Sequence, residues 1–361
     1  MLYSSVLKRF LILLNFFSFF YHGAAQESIN FTQLKKNGDL YCLHDKPFTG
    51  KSILRGENKQ ILQKILWKEG KIHGQFISYY NDGKIDLSIN YQHGKRYGDY
   101  KSYFPTGKTE EVRQYKNGVL HGSFISFYEN GQKKELANYR DGQQDGLFIL
   151  YFSDGQKQQE GHFENGQPSG KVISYNTRGE IRKITHYKAG LRHGKFKLFH
   201  RNGRLFEESQ FENGLQVGHY KEYDPFGNLI TEGFYKDGKK HGTFRKYGKN
   251  KVLAEIATYN FGQKNGDFLK MSDGVVDFKG QYKNGKKEGL WTEFGANSKR
   301  TCKGNYLNGL KHGHWVLGQT ASFGKSEGNF KDGEFDGLWK YYNFKGKKIG
   351  TVLWDKGQKI K

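Results

Sequence analysis

Histidine is the residue type whose placement most invites a chemical reading. His73, His121, His193, His241 and His312 each stand immediately before a glycine of a recurring motif, and a row of imidazoles along one edge would suggest metal. These recurrences lie two or three units apart, about 20 Å or more if each unit is a pair of strands. Zinc ligands stand about 2.0–2.1 Å from their ion. A histidine that packs or hydrogen-bonds in a turn is therefore the plainer expectation. Neighbouring carboxylates, Glu110 with Glu111 and Glu207 with Glu208, fall on opposite faces of a strand and make no general acid and base pair by themselves. Cys42 and Cys302 would be separated by on the order of 100 Å along an extended sheet, against about 7 Å between the Cα atoms of a disulfide. They are expected to be free, buried or paired between chains. No Gly-x-Ser-x-Gly, His-Glu-x-x-His or phosphate-loop signature occurs. The expectation is a protein without catalytic, cofactor or metal residues and without a small-molecule substrate, unless a site is scattered across repeats.

Lysine is the remaining chemical signal. The chain carries 59 Lys and Arg against 36 Asp and Glu, a formal net charge of +23. Lys71, Lys95, Lys239 and Lys286 directly follow a repeat glycine, Lys240 and Lys287 come next, and a further lysine pair stands at 347 and 348. Loops on one edge would thus carry a basic stripe. Two readings stay open. The stripe protects sheet edges and keeps the protein soluble, or it offers a surface to anionic partners through an attraction that salt weakens.

The elements that position these groups follow from a repeat. From Trp67 onward the pattern aromatic-x-x-Gly-x-x-x-Gly-x-aromatic returns every 24 residues, as in "WKEGKIHGQF", "YQHGKRYGDY", "YKNGVLHGSF" and "YRDGQQDGLF". Twelve full copies occur, one of them shortened by a residue. Representative glycine pairs are Gly70 with Gly74, Gly94 with Gly98, Gly118 with Gly122, Gly142 with Gly146 and Gly238 with Gly242. The rings that frame them include Tyr115, Phe124, Tyr139, Phe148, Tyr235 and Phe244. Within a copy such as "FISFYENGQKKELANY", Asn-Gly between two β-type runs signals a two-residue type I′ hairpin turn, and "YKNGVLHG" turns the chain back. Strands of about six residues with these turns account for the period; two helices would not. Each repeat is predicted to be one β-hairpin.

Glycine usually weakens a strand, so its fixed place needs a reason. Side chains alternate faces, so Gly122 and Phe124 point the same way, as do Gly161 and Phe163, Gly233 and Tyr235, Gly280 and Tyr282, Gly304 and Tyr306, and Gly328 and Phe330. The inference is that a ring from the next strand lies over each glycine slot. Such cross-strand pairs are worth roughly 0.2–1 kcal/mol each and together can hold a sheet with no second layer.

These residues resemble the MORN repeat, and more closely its bacterial variant, which carries a YwqK-type antitoxin label; the resemblance covers about residues 43–361. It implies an all-β, elongated, single-layer antiparallel meander, proximity to membranes and protein assembly, or neutralisation of a toxin. At about 4.8 Å per strand, twelve repeats would extend over roughly 110–120 Å before twist. Val172, Gly318 and the missing turn glycine near position 251 depart from the pattern, so irregular copies are expected there. The predicted organisation is a cap with one degenerate repeat at 26–66, repeats at 67–353 and a partial repeat at 354–361.

Residues 1–25 read separately. Lys8 and Arg9 precede the apolar run "FLILLNFFSFF", and Gly23 and Ala25 suit a cleavage site, which is the pattern of a secretory signal peptide. The run is about half of the roughly 20 residues a spanning helix needs; a short uncleaved anchor is the alternative. Removing this segment takes away two basic residues and no acid, so +23 becomes +21. The expected location is periplasmic or extracellular. The expected role is an exported, non-enzymatic binding or scaffold protein engaging a protein partner or an anionic membrane or envelope surface. An antitoxin or immunity-type partner is the alternative. Nucleic-acid binding, suggested by charge with aromatics, is disfavoured by export and by rings committed to packing.

Overall fold

The computed structural model describes residues 28–295, 301–319 and 324–360; the expected leader, residues 1–25, lies outside them. Contacts divide the chain into two units, Met1–Gly107 and Lys108–Lys361. Five short strands open the first unit: β1 (Ile29–Asn30), β2 (Lys35–Asn37), β3 (Leu40–Leu43), β4 (Lys46–Pro47) and β5 (Gly50–Arg55). The 3-10 turn Phe31–Gln33 is fixed by a capping box, with the Asn30 side chain accepting from Thr32 N–H at 3.1 Å and Gln33 Oε1 accepting from Asn30 N–H at 3.2 Å. β1 lies parallel to β5, Ile29 opposite Ser52, while β2, β3 and β4 form their own small sheet. An antiparallel meander follows: β6 (Ile61–Lys68), β7 (Lys71–Tyr79), β8 (Ile85–Gln92) and β9 (Lys95–Tyr103). Within the predicted cap, the small sheet adds a second layer beside the first strands of the meander. Leu34 is buried with Ile65 and Trp67, and Phe31, Tyr41, Leu43 and Phe48 pack on them.

The second unit repeats one hairpin: β10 (Thr109–Lys116), β11 (Val119–Phe127), β12 (Lys133–Arg140) and β13 (Gln143–Tyr151) start an antiparallel succession that continues to Gln358–Lys359. These strands have eight or nine residues rather than six. The turn types are the reverse of the sequence expectation. The two-residue type I′ turn sits at Asn117 (φ 51°) and Gly118 (φ 89°), with Lys116 opposite Val119. At Asn130-Gly131 only the glycine has positive φ, 92°, and Gly131 N–H donates to Tyr128 C=O at 2.8 Å. That is a β-turn followed by a left-handed residue, held by Asn130 Oδ1 accepting from Gln132 N–H at 2.9 Å.

Rings and small residues alternate across the strands. Phe124 stands opposite Ala137, Ala137 opposite Phe148, and Phe148 opposite Gly161. Further on, Gly280, Gly304 and Gly328 lie beneath Trp291, Trp315 and Trp339, where an added Cβ would sit 2.3, 2.2 and 2.4 Å from an indole atom. The three indoles are buried, and each N–H donates to a backbone carbonyl, that of Gln281, Asn305 or Asn329, at 2.9–3.0 Å. The predicted ring over a glycine slot is thus present at Gly233, Gly280, Gly304 and Gly328, whereas Gly161 meets Val172. At Gly122 it is not. Its φ is 103°, and a Cβ there would meet Gln114 rather than a ring, so the constraint at that repeat glycine is backbone conformation.

The expected irregularity at Val172 is absent. Val172 is buried opposite Thr185, and its strand, Gln167–Tyr175, has full length. The missing turn glycine does distort the chain: Lys249–Lys251 forms a 3-10 turn with Asn250 and Lys251 at φ 58° and 61°. Gly318 follows the end of strand Leu310–Leu317 and donates its N–H to Cys302 Sγ at 3.4 Å. Both cysteines are free.

Candidate functional site: a lysine and ring ladder

The ten representative repeat glycines all have φ between 71° and 106°, and they set where the basic side chains fall. The first glycine closes the type I′ turn. Its N–H reaches the preceding turn: Gly142 donates to Leu120 C=O at 2.8 Å, Gly238 to Gln216 at 2.9 Å and Gly309 to Lys287 at 2.9 Å. The residue before the second glycine anchors the turn from the side. His73 Nδ1 and His121 Nδ1 accept from the N–H of His93 and Asp141 at 3.4 Å, and Glu288 does the same for Asn308 at 2.9 Å. Two of the five histidines of the row thus anchor a turn, and the interchange with a carboxylate explains why histidine is not kept in every copy. Nδ1 of His193 and of His241 is buried without a hydrogen bond. Among the described residues no group of His, Cys, Asp or Glu is arranged to hold a metal. The adjacent carboxylates separate: Glu207 accepts from Ser209 Oγ at 2.9 Å, while Glu208 pairs with Lys197 at 3.2 Å.

The six predicted lysines split into two sets. Lys71, Lys95, Lys239 and Lys286 are exposed beside the type I′ turns. Lys240 and Lys287, one residue later, point onto the ring face and are half-buried. Sequence reasoning missed that they belong to a longer row with Lys264 and Lys311. The register alternates ring and lysine: Tyr235 opposite Lys240, Tyr259 opposite Lys264, Tyr282 opposite Lys287 and Tyr306 opposite Lys311. Each ammonium lies over two rings. Lys240 Nζ is 4.8 Å from the Phe244 centroid and 5.4 Å from that of Tyr259. Lys264 Nζ is 4.4 and 5.2 Å from Phe268 and Tyr282, Lys287 Nζ 4.3 and 4.9 Å from Trp291 and Tyr306, and Lys311 Nζ 4.6 and 5.1 Å from Trp315 and Phe330. The readable signal was a lysine four residues ahead of the ring that follows the second glycine.

These contacts are cation–π attractions, and none of the four lysines forms an ion pair among the described residues. Burial pushes the Lys240 and Lys287 ammoniums below the usual lysine range and pushes the Tyr259, Tyr282 and Tyr306 phenols up. The other named rings pack edge to face, Phe124 with Tyr139 at 6.0 Å, Phe148 with Phe163 at 5.4 Å and Tyr235 with Phe244 at 5.5 Å; Tyr115 is buried. The arrangement presents a line of oriented cations, one every second strand, about 10 Å apart.

No curated protein matches the sequence. Among solved structures, a chain of the complex titled "Crystal Structure of TcdB2-TccC3-Cdc42" aligns with 85% of this chain and 27% of its own length, at 11% identity and a TM-score of 0.16, too low to support an argument. Six tandem segments, residues 72–93, 96–117, 120–141, 144–165, 192–213 and 216–237, match the family described as MORN repeat variant, a description that names the repeat and no antitoxin.

Proposed function

We propose that this protein is an exported, non-enzymatic binding scaffold whose ring face in the second unit receives an extended acidic segment of a partner protein. The observation that carries the reading is the unbroken row Lys240, Lys264, Lys287 and Lys311, each held over rings and, among the described residues, without an ion-paired carboxylate. Held this way, the ammoniums are already oriented, so a bound carboxylate gains a charge-assisted contact at reduced ordering cost. The lysines fold down onto rings instead of projecting, which suits a strand laid along the face better than a layer of lipid headgroups. The rings meet edge to face and are packed, which leaves little for stacking nucleic-acid bases.

The test compares the purified protein with its K240Q/K264Q/K287Q/K311Q variant against a twenty-residue poly-glutamate peptide, anionic phosphatidylserine vesicles and poly-dT, at low and moderate salt. Saturable, salt-sensitive peptide binding that weakens at least about tenfold in the variant is expected. Retention on vesicles alone would replace this reading with the envelope reading, retention on poly-dT alone with nucleic-acid binding, and retention on none would leave the lysines as a solubility device. Export is tested by fractionating the host: a cytoplasmic pool retaining residues 1–25 overturns it. Capture of one stoichiometric toxin would favour the antitoxin alternative.

A further inference from the structure

A second basic site, independent of the ladder, lies in the first unit. An open cleft of about 370 Å³ is lined by Lys36, Asp39, Tyr41, Trp67, Ile72 and Lys95, with Lys71 and the turn His93-Gly94 at its rim. Its walls are tied together through backbone. Tyr41 N–H donates to Gly70 C=O at 2.8 Å, Gly70 N–H to Phe48 C=O at 2.9 Å, and Gly94 N–H to Ile72 C=O at 2.8 Å. A Cβ on Gly70 would lie 2.9 Å from Leu40 Cβ and 3.0 Å from Tyr41 C=O, so the small sheet is seated tightly on the turn that forms the floor. Tyr41 and Ile72 offer a half-buried apolar surface, backed by Trp67, whose ring is 4.7 Å from that of Tyr41 and whose N–H donates to Ser52 Oγ at 2.8 Å. Three lysines face one carboxylate, Asp39, and none of the three is ion-paired among the described residues.

We infer that this cleft binds a small planar apolar group bearing an anionic head, a ring lying on Tyr41 and Ile72 with a phosphate or carboxylate among Lys36, Lys71 and Lys95. The volume is at the lower end of ligand pockets, room for a single ring and its substituent. The converging charge and the apolar floor are both required: a bare anion leaves Tyr41 wet, and a neutral ring leaves the ammoniums without a counter-charge. The proposal does not rest on the ladder, because no ladder residue lines the cleft.

Calorimetric titration of the purified protein with phenyl phosphate, inorganic phosphate and benzyl alcohol tests it, alongside the indole N–H resonance of Trp67. Phenyl phosphate is expected to bind with one-to-one stoichiometry, shift the Trp67 resonance and bind more tightly than either fragment. Affinity should fall at least about tenfold in K36Q/K71Q/K95Q and stay unchanged in K240Q/K264Q/K287Q/K311Q. Absence of saturable binding, an unmoved Trp67 resonance, equal affinity for inorganic phosphate, or an unaffected triple-lysine variant would each overturn the inference. Because all seven substituted lysines lie on strands and are exposed or half-buried, a far-UV spectrum identical to that of the parent keeps any loss attributable to the site.

Discussion

At the scale of single residues, the ring column is governed by the sum of sizes across a pair. Ala137 faces Phe148 and Ala257 faces Phe268, whereas glycine faces tryptophan at Gly280, Gly304 and Gly328. A methyl group at position 304 would lie 2.2 Å from the Trp315 indole, so Gly304→Ala is expected to cost about 1–3 kcal/mol. Adding Trp315→Phe recreates the alanine and phenylalanine pairing and should recover a large part of that loss; urea denaturation of the single and double variants measures it. Tyr175 supplies a pH test. Burial, reinforced by its hydrogen bond to Glu160, pushes its phenol up to about 12. An acid whose folded value is raised favours the folded state while it stays protonated. That contribution is complete below about pH 10, the unfolded value, and is lost as pH rises toward 12. Glu160→Gln should bring the Tyr175 titration down, as followed by the NMR shift of its ring carbon.

At the scale of the hairpin, the first glycine of each repeat is a connector as well as a turn residue. Amides of Gly262, Gly285, Gly309 and Gly333 donate to the carbonyls of Lys240, Lys264, Lys287 and Lys311 at 2.8–3.0 Å. They should resist hydrogen exchange although they sit in turns; exchange at free-loop rates would contradict the bonding. The period, the hairpin and the glycine pair were readable because a 24-residue recurrence fixes them together. Which Asn-Gly makes the type I′ turn was not, since the dipeptide occurs in both turns and only pairing register separates them. The alternation of ring and small residue was half visible. Glycine announced it, but Ala137, Thr185 and Ser209 fill the same position without resembling it. Lys264 and Lys311 stand outside the doubled lysines, and the spacing that marks them is the one from lysine to ring. The cleft could not be read from sequence at all: Lys36 and Lys95 come to line one cleft through the seating of the small sheet on Gly70.

At the scale of the whole molecule, charge dominates. A net +23 implies self-repulsion that ions relieve. The thermal midpoint should therefore rise by several degrees between 20 and 200 mM sodium chloride, as calorimetry would record; a fall would mean that ion pairs such as Lys197 with Glu208 and Lys325 with Glu327 outweigh the repulsion. The turn-to-turn bonds carry one more implication. Each glycine amide finds its acceptor in a repeat already upstream, so a chain leaving the ribosome meets a finished template for every hairpin it adds. Growth needs only short loop closures and nothing still to be synthesised. The same one-way dependence lets a gene lengthen by copying 24 codons, with every inserted copy locking onto its elder neighbour.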